Sequence, residues 1–411
     1  MRIHIIGINY WPEVTGIAVF STGRAEFLAE RGHRVTMCTA WPYYPQWRVA
    51  PEYRRRPFAR ETRAGVDILR VPIYVPSRVT PLRRVIHEAT FIAAAFVRSL
   101  FAKRPDILLI VSPPLGLAVV AALLGRVWRA PFVFHVADLQ PDAALDLGMV
   151  RPGRIARALY ALERLAYRRA AAVSTLTEAM RSRIIGKGVD REKVRLFSDW
   201  ADPELFTLSA RADDPELRHE LGLGNAFVAL HVGNMGVKQG LGVVIDAAAR
   251  SRGLPDVLYV LVGDGAMRPP LEAQARSLGL SNVRIISLLD RGRFQRLLAT
   301  ADACLVTQQR TVADIVFPSK VLTLLAAGKP VIASVSDGSE VARVVGESGG
   351  GTVVAAEDPD ALASALARLR SDEALRSRQS DLGRAYARAH WQRDATLAHL
   401  ADQLEAIGAT R

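Results

Sequence analysis

The chain repeats one local pattern, in which a short apolar run, a turn rich in Gly or Pro and an amphipathic helical stretch follow one another. Apolar runs of strand length occur in two series: 3–7, 35–39, 67–71, 106–111, 132–136 and 171–174, then 226–232, 257–262, 282–286, 303–306, 330–334 and 352–355. Alternating strands and helices at this spacing predict parallel sheets covered by helices on both faces. We therefore expect an α/β protein built of doubly wound, Rossmann-like units.

The length of 411 residues exceeds what one core holds, and the pattern restarts after Ser198. We expect a first domain over 1–200 and a second over 201–390, joined by the segment DWADPELF. The amphipathic stretch over 391–411 is expected to pack back on the first domain. Two such domains would face a central cleft at the carboxyl ends of their strands, where ligands bind in these folds.

Several classes are disfavoured by composition. Cys38 and Cys304, the only cysteines, are too few for a disulfide framework or a zinc site, which favours a reducing compartment. The first residues hold an apolar run too short for a signal peptide, so an intracellular protein is expected. Residues 107–125 are long and apolar enough to span a membrane, but Pro113 and Pro114 predict a strand, a turn and a helix instead.

The net charge of +13 is concentrated in the first domain. Residues 1–200 carry 31 Lys and Arg against 16 Asp and Glu, whereas the rest is slightly acidic. This asymmetry indicates an anionic partner, either nucleic acid or a phospholipid surface, although an Arg-rich composition alone is an alternative. Residues 78–104 combine six basic residues, Arg83 and Arg84 among them, with an apolar face. They predict either a helix lying on an anionic membrane or a core helix with a solvated basic side.

Three segments of the second half carry the chemistry. In LHVGNMGVKQGL (230–241), a strand runs into a glycine-rich loop with Lys238 and then a helix, which suits a phosphate, although an ordinary turn is the alternative. In DIVFPSKVLTLLAAGKPV (314–331), Lys320 falls in a first helical turn and opposes the helix dipole, which favours a bound anion beside it. Lys329 follows a helix end and is expected to be structural. The turn in LVGDGAM (261–267) fits a site or plain turn chemistry equally well.

Together these segments resemble the retaining, GT-B-fold glycosyltransferases of family 4, and the colanic-acid-type exopolysaccharide enzymes in particular. YWPEVTG in the first half resembles the family's opening loop. The resemblance implies a nucleotide diphosphate sugar donor, UDP- or GDP-linked, and no cofactor. If residues 78–104 lie on a membrane, the expected acceptor is a lipid-linked saccharide. It implies exopolysaccharide or lipopolysaccharide synthesis at the inner face of a bacterial membrane. It assigns donor contacts to Gly16, Gly233, Asn234, Gly236, Gly263, Asp264, Gly265, Pro318 and Ser319.

The chain departs from the family pattern at four places. Two glutamates of the family fall on Ile315 and Thr323, so we expect Asp314 to replace the first and the Thr323 hydroxyl to bind ribose in place of the second. A family arginine is Asn234 here, which leaves Lys238 as the basic partner. A frequent histidine becomes Ala137, so Asp138 is the expected catalytic carboxylate, with turn capping as its alternative.

The expected reaction is sugar transfer with retained anomeric configuration and without a metal. Lys238, Lys320 and helix amides would stabilise the departing diphosphate. The only Asp-x-Asp motif begins at Asp358 and is expected to cap a helix. Trp41, Tyr43, Tyr44 and Trp47 are candidates for stacking on acceptor sugars, with Arg83 and Arg84 nearby. A nucleotide-sugar epimerase on the same fold is the alternative; a nucleic-acid-binding protein has no supporting motif.

Overall fold

The computed structural model describes residues 1–14, 16–54, 58–78, 80–146, 152–208, 214–311 and 320–409. The chain divides into two compact units. Unit 1 comprises Met1–Asp199 and Asp394–Arg411, and unit 2 comprises Trp200–Arg393. The division falls inside DWADPELF at one end and near the start of the last helix at the other.

Unit 1 is an eight-stranded sheet with helices on both faces. Its strands are β1 (Arg2–Ile6), β2 (Arg34–Ala40), β3 (Arg60–Arg63), β4 (Val66–Val71), β5 (Ile107–Ser112), β6 (Phe132–Val136), β7 (Ala172–Thr175) and β8 (Val194–Leu196). Its helices in the first half of the chain are α1 (Ile17–Glu30), α2 (Pro81–Leu100), α3 (Leu117–Trp128), α4 (Gln140–Asp146), α5 (Arg154–Arg169) and α6 (Glu178–Gly186). The strands lie in the order β3-β4-β2-β1-β5-β6-β7-β8.

The sheet of unit 1 is parallel except at one edge. β3 pairs antiparallel with β4, with Arg60 opposite Leu69 and Arg63 opposite Val66. The predicted parallel sheet therefore carries an antiparallel edge strand that the sequence analysis did not predict. The sequence RETR has no apolar side chain to signal a strand, and its charges suit a solvated sheet edge.

The two faces of this sheet have separate apolar cores. Strand residues such as Ile6, Cys38 and Leu69 pack toward α2 and α3, whereas Ile3, Val35 and Val66 pack toward α1. Alternation of side chains along each strand produces this separation. The last helix, α15 (Arg393–Ala409), adds Leu400, Ala401 and Leu404 to the second of these cores.

Unit 2 is a six-stranded, fully parallel sheet in the order β11-β10-β9-β12-β13-β14. Its strands are β9 (Phe227–Val232), β10 (Val257–Val262), β11 (Val283–Ile286), β12 (Ala303–Thr307), β13 (Val331–Val335) and β14 (Gly351–Ala355). Its helices are α7 (Pro215–Glu220), α8 (Gly242–Arg250), α9 (Arg268–Ser277), α10 (Arg291–Thr300), α11 (Lys320–Ala326), α12 (Glu340–Ser348), α13 (Pro359–Ser371) and α14 (Glu373–Trp391). The expected α/β architecture of two doubly wound sheets is confirmed.

The apolar segment 107–125 divides as expected, into β5, a Pro-Pro turn and the first part of α3. Among the described residues, no helix is both long and apolar enough to cross a membrane.

Candidate active site

The glycine-rich segments of unit 2 meet at the point where the strand order reverses. The chain runs from β9 outward to β11 and then returns to the other side of β9 with β12. The loops after β9 and β12 therefore flank the crevice in which doubly wound sheets bind ligands.

The loop after β9 lies against the loop after β10 at backbone distance. A Cβ on Gly263 would lie 1.9 Å from the carbonyl oxygen of Gly233, so only glycine permits this approach. A Cβ on Gly265 would lie 2.6 Å from the carbonyl oxygen of Met235. Two backbone hydrogen bonds close the contact, from Met235 to Asp264 at 2.8 Å and from Met267 to Met235 at 2.9 Å. The glycines of the two segments thus build one rigid surface of backbone.

The end of β12 fixes the far side of the same loop. The Thr307 hydroxyl donates to the Gln239 carbonyl at 2.5 Å, and the Gln309 amide donates to the Lys238 carbonyl at 3.0 Å. Gly240 has a φ of 57°, in the left-handed region, and lets the chain turn from this contact into α8. Residues 233–240 are therefore held on both sides.

Lys320, the first residue of α11, reaches this loop from the third segment. Its Nζ donates to Gln239 Oε1 at 2.9 Å and lies 3.8 Å from the position a Cβ on Gly233 would take. Burial lowers the pKa of this ammonium to about 8. Lys238 is half-buried and makes no side-chain hydrogen bond to another described residue. Lys238 is thus part of the glycine loop and Lys320 reaches it through Nζ, and neither lysine forms an ion pair within the described ranges.

The remaining residues of unit 2 that were predicted to bind the donor differ in how exposed their side chains are. Asn234 and Asp264 are exposed, and Asp264 Oδ1 accepts from the Gly265 amide at 2.7 Å. Thr323 is half-buried on α11, one turn after Lys320. Three further predicted residues lie outside the described residues: Asp314, Pro318 and Ser319.

Unit 1 has its own cavity at the corresponding point of its sheet, between the loops after β1 and β5. The cavity holds about 200 Å³. It is lined by Ile8, Asn9, Gly16, Ile17, Tyr43, Tyr44, Trp47, Arg84, His87, Glu88, Pro113 and Pro114. The structure therefore brings five predicted residues to one place: Gly16, Tyr43, Tyr44, Trp47 and Arg84.

The wall of this cavity combines aromatic rings with polar groups. Tyr43 packs edge-on against His87 and Trp47, with ring centroids 4.8 and 5.7 Å away. Nε2 of His87 is buried without a hydrogen-bond partner in the described ranges, and burial lowers the pKa of this ring. Arg84 pairs with Glu88 at 3.3 Å. Aromatic faces beside an amide, an imidazole and a carboxylate suit the mixed surface of a sugar ring.

Sequence reasoning missed Glu13, which organises the opening loop. Glu13 is buried, and its carboxylate accepts from the backbone amides of Tyr43 and Tyr44 at 2.9 and 2.8 Å and from Asn9 at 2.8 Å. Burial raises its pKa. The signal available was a carboxylate inside the otherwise apolar segment YWPEV, which requires partners when buried.

Arg70 is a second missed residue in the same region. It is fully buried on β4, donates to the carbonyls of Trp11 and Ala40, and pairs with Glu61 at 3.3 Å. It joins the opening loop to the end of β2.

Three predicted residues of unit 1 lie outside the cavity. Trp41 lines a neighbouring groove, and Arg83 is exposed on the first turn of α2. Asp138 follows β6 and is half-buried in a turn whose amide at Ala137 donates to the Ser112 carbonyl at 3.0 Å. It belongs to unit 1, whereas Lys238 and Lys320 belong to unit 2.

Two structural assignments are confirmed. Lys329 is buried and donates to the carbonyls of Ala299 and Ala301 at 2.7 and 2.9 Å. Asp358 caps α13 through the Ala361 amide at 2.9 Å. Within the described ranges, no group of three His, Cys, Asp or Glu side chains is placed to hold a metal ion.

Known families account for both units. A glycosyl transferase 4-like domain matches residues 15–200, and the domain of glycosyl transferases group 1 matches residues 213–386. With two doubly wound sheets and a glycine-built loop that contains Lys238 and is reached by Lys320, the chain belongs to the family 4, GT-B-fold glycosyltransferases. It is an enzyme of that family.

One relative covers almost the whole chain. The chain is 35% identical over 393 residues to the putative colanic acid biosynthesis glycosyl transferase WcaI of Escherichia coli (strain K12), spanning 94% of this chain and 95% of that protein. The resemblance to the colanic-acid-type enzymes is confirmed.

Solved structures agree at the level of the fold. Sucrose-phosphate synthase from Thermosynechococcus elongatus superposes with a TM-score of 0.77 at 17% identity, covering all of both chains. Anabaena HepE, solved in complex with UDP, has a TM-score of 0.73 at 18% identity and covers 99% of this chain and 100% of its own.

Proposed function

We propose that the protein transfers a sugar from a UDP- or GDP-linked donor to a lipid-linked saccharide, with retained anomeric configuration, in exopolysaccharide or lipopolysaccharide synthesis. The observation that carries the proposal is the position of Lys238 and Lys320 at one glycine-built loop of unit 2. The similarity to WcaI supports the biosynthetic role, and HepE complexes with UDP and UDP-glucose support the donor class.

The site provides what departure of a nucleoside diphosphate requires. Negative charge accumulates on the diphosphate as the glycosidic bond breaks, and pre-placed cations and backbone amides stabilise it more than the intact donor. The backbone of residues 233–240 is held by β10 and β12 contacts, so little reorganisation accompanies the reaction. The two ammonium groups do this without a metal.

The cavity of unit 1 is the proposed site for the acceptor sugar. Tyr43, Tyr44 and Trp47 would contact the apolar face of the ring, whereas Asn9, His87 and Glu88 would bind its hydroxyls. Asp138, in the neighbouring turn, is the proposed carboxylate for the acceptor hydroxyl.

Exposed apolar side chains on adjacent helices support contact with an anionic membrane at its cytoplasmic face. α3 contacts both α2 and α5, and together these three helices carry nine Arg against two Glu. We call the exposed apolar set on them the apolar stripe: Leu82, Val85, Ile86, Val97, Leu100, Val119, Leu123, Val127, Ile155 and Leu165. Apolar insertion combined with basic charge is the composition of interfacial helices.

The donor assignment is tested with Lys320→Ala, Lys238→Ala and the control Lys193→Ala, a half-buried lysine of unit 1. A thermal-shift panel of UDP-, GDP- and ADP-sugars identifies the donor in the wild type, because a ligand of the folded state raises the melting temperature. Removing one ammonium should lower turnover by about 10²–10³-fold, as for other pre-placed oxyanion donors. Lys193→Ala should transfer sugar at the wild-type rate.

Two outcomes would contradict the proposal. Sugar transfer by Lys320→Ala at nearly the wild-type rate would show that this lysine does not act on the donor. Conversion of the nucleotide sugar to an epimer without any acceptor would identify an epimerase instead.

A further inference from the structure

A second cavity of unit 1 lies at the opposite edge of the sheet, where the strands begin. It holds about 370 Å³ and is bounded by the amino ends of β1, β2 and β4 and by the last turn of α2. We call it the amino-edge cavity. The proposed donor and acceptor sites lie at carboxyl ends of strands, so they do not use it.

On one face of the sheet, the side chains at the starts of these strands are polar. Arg2 lies opposite Arg34 in the parallel register, and His4 lies opposite Thr36, which in turn faces Asp67. All five line the amino-edge cavity. Further along the same face the side chains become apolar, as expected for a sheet covered by helices. The polar start is therefore a local feature of this edge.

The cavity has an excess of positive charge. Four cations that line it form no ion pair within the described ranges: Arg2, Arg34, Arg98 and Lys103. Among the described residues of the lining, Asp67 is the only carboxylate, and it is paired with a fifth cation, Arg60, at 3.2 Å. A cation near a helix C-terminus is favoured by the helix dipole, which accounts for Arg98. It does not account for Arg2 and Arg34, because both lie on strands.

Two buried polar atoms in the lining have no hydrogen-bond partner in the described ranges. Nε2 of His4 lies 3.0 Å from Ser99 Oγ, but Nδ1 on the other side of the ring is unpartnered, although His4 is only 1% exposed. Nε of Arg98 is the other atom. A buried polar group without a partner costs free energy, so such groups indicate that a ligand or water completes the site.

We propose that the amino-edge cavity binds a phosphate-bearing anion. Arg2, Arg34, Arg98 and Lys103 would neutralise the phosphate. The His4 ring would donate from Nδ1 when the Ser99 hydroxyl donates to Nε2. The apolar residues Val97, Leu100 and Phe101 are exposed beside the cavity, and Phe101 lines it. A phospholipid headgroup or a free phosphoester has this chemistry.

The test uses the full chain and two probes. Glycerol 1-phosphate is titrated by calorimetry. Flotation is measured with vesicles of phosphatidylcholine alone and of equal parts phosphatidylcholine and phosphatidic acid. Binding of glycerol 1-phosphate in solution assigns a free phosphoester. Flotation only with phosphatidic acid, weakened by loss of Arg34 and Arg98, assigns a lipid headgroup.

A pair of double variants separates the cavity from net charge. Arg34→Ala/Arg98→Ala should weaken binding about 30-fold, because each basic residue beside an anionic headgroup contributes about a factor of five. Arg276→Ala/Arg378→Ala removes the same charge from exposed helical positions of unit 2 and should bind as the wild type does. Melting temperatures establish that both variants fold.

The NMR chemical shifts of the histidine rings give a readout that a change in net charge alone does not alter. On addition of glycerol 1-phosphate, or of phosphatidic acid in detergent micelles, the ring nitrogens of His4 should shift, whereas those of the exposed His399 should not. His4→Gln identifies the signal. Equal losses in the two double variants, or no binding to either probe, would overturn the proposal. Sugar transfer does not enter these measurements. Flotation that depends on the apolar stripe should be lowered equally or not at all by the two double variants, so a loss confined to Arg34→Ala/Arg98→Ala tests the cavity separately from the proposed function.

Discussion

Lys320, which begins α11, and Lys329, three residues after its end, show that the same residue type has different roles in different environments. Lys329 is buried but donates to two backbone carbonyls, so its charge is stabilised within the fold. Lys320 has only the side-chain amide of Gln239 as a described partner. Burial therefore lowers the pKa of Lys320 to about 8, which leaves the group ready to gain a stronger anionic partner.

The pH dependence of sugar transfer should report this ammonium. Because the group is charged below its pKa, kcat/KM should fall as pH rises through about 8, approaching tenfold per pH unit above it. In Lys320→Arg the guanidinium stays protonated, so kcat/KM should no longer decrease as pH rises through about 8, even if its highest value is below that of the wild type. A wild-type profile unchanged between pH 7 and about 9.5 would show that another group carries the charge.

At the scale of elements, the loops after β9 and β10 work as one surface because glycine allows their backbones to touch. The requirement comes from contact between elements far apart in sequence. The sequence LVGDGAM by itself fits a binding site and an ordinary turn equally well. The 1.9 Å approach at Gly263 is what joins it to the lysine-bearing loop.

Gly263→Ala should separate the two loops. The added methyl cannot fit beside the Gly233 carbonyl, so the loops must shift, at a cost of about 1–3 kcal/mol in the free energy of unfolding. The free energy of donor binding should be reduced by more than the free energy of unfolding. Donor binding is measured by calorimetry with the donor that the thermal-shift panel identifies. Gly346→Ala is the control, because no atom lies within 4 Å of its Cβ position and it lies inside α12. It should be neutral or slightly stabilising. Wild-type donor affinity in Gly263→Ala would show that the loop contact is not needed.

The apolar stripe is also a property of elements, since it needs α2, α3 and α5 side by side. Val85→Ser/Val127→Ser should reduce flotation with phosphatidylglycerol vesicles about tenfold or more, since each buried apolar side chain contributes about 1.5–3 kcal/mol. Val85 is 62% exposed and Val127 is 61% exposed, so the stability of the folded protein should be unaffected. Leu288→Ser, 67% exposed in unit 2, is the control. Equal flotation of all variants would exclude insertion of the stripe.

At the scale of the molecule, the chain ends in the unit in which it began. α15 packs Leu400, Ala401 and Leu404 against the core beneath α1, and Arg31 pairs with Asp402 and Glu405 at 2.5 and 2.9 Å. Unit 1 therefore depends on a helix that follows unit 2 in the chain.

Leu404→Ala should destabilise unit 1 by about 2–5 kcal/mol, the usual cost of truncating a fully buried leucine. Calorimetry should show the transition of unit 1 at a lower temperature, with that of unit 2 unchanged. His399→Ala, exposed on the same helix, should leave both transitions in place. A shift confined to unit 2 would contradict the packing of α15.

Much of the fold could be predicted from the local pattern of apolar residues along the sequence. The strands over 132–136 and 257–262 were predicted with their exact bounds, and the other predicted strands within one residue at each end, because buried parallel strands are unbroken apolar runs. β3 and β8 were missed because short edge strands carry charges. Glu13 and Arg70 were missed because a buried charge is recognisable only once its partners are known.

The amino-acid sequence by itself determined the α/β class, the two-unit organisation and the glycine and lysine segments, because periodicity, turn chemistry and helix ends are encoded within a few neighbouring residues. Tertiary structure alone decided that Gly233 touches Gly263, that Lys320 reaches Gln239, and that His87 and Tyr43 share a cavity wall. Such contacts depend on strand order and register, which follow from the packing free energy of the whole sheet and cannot be derived from any one segment.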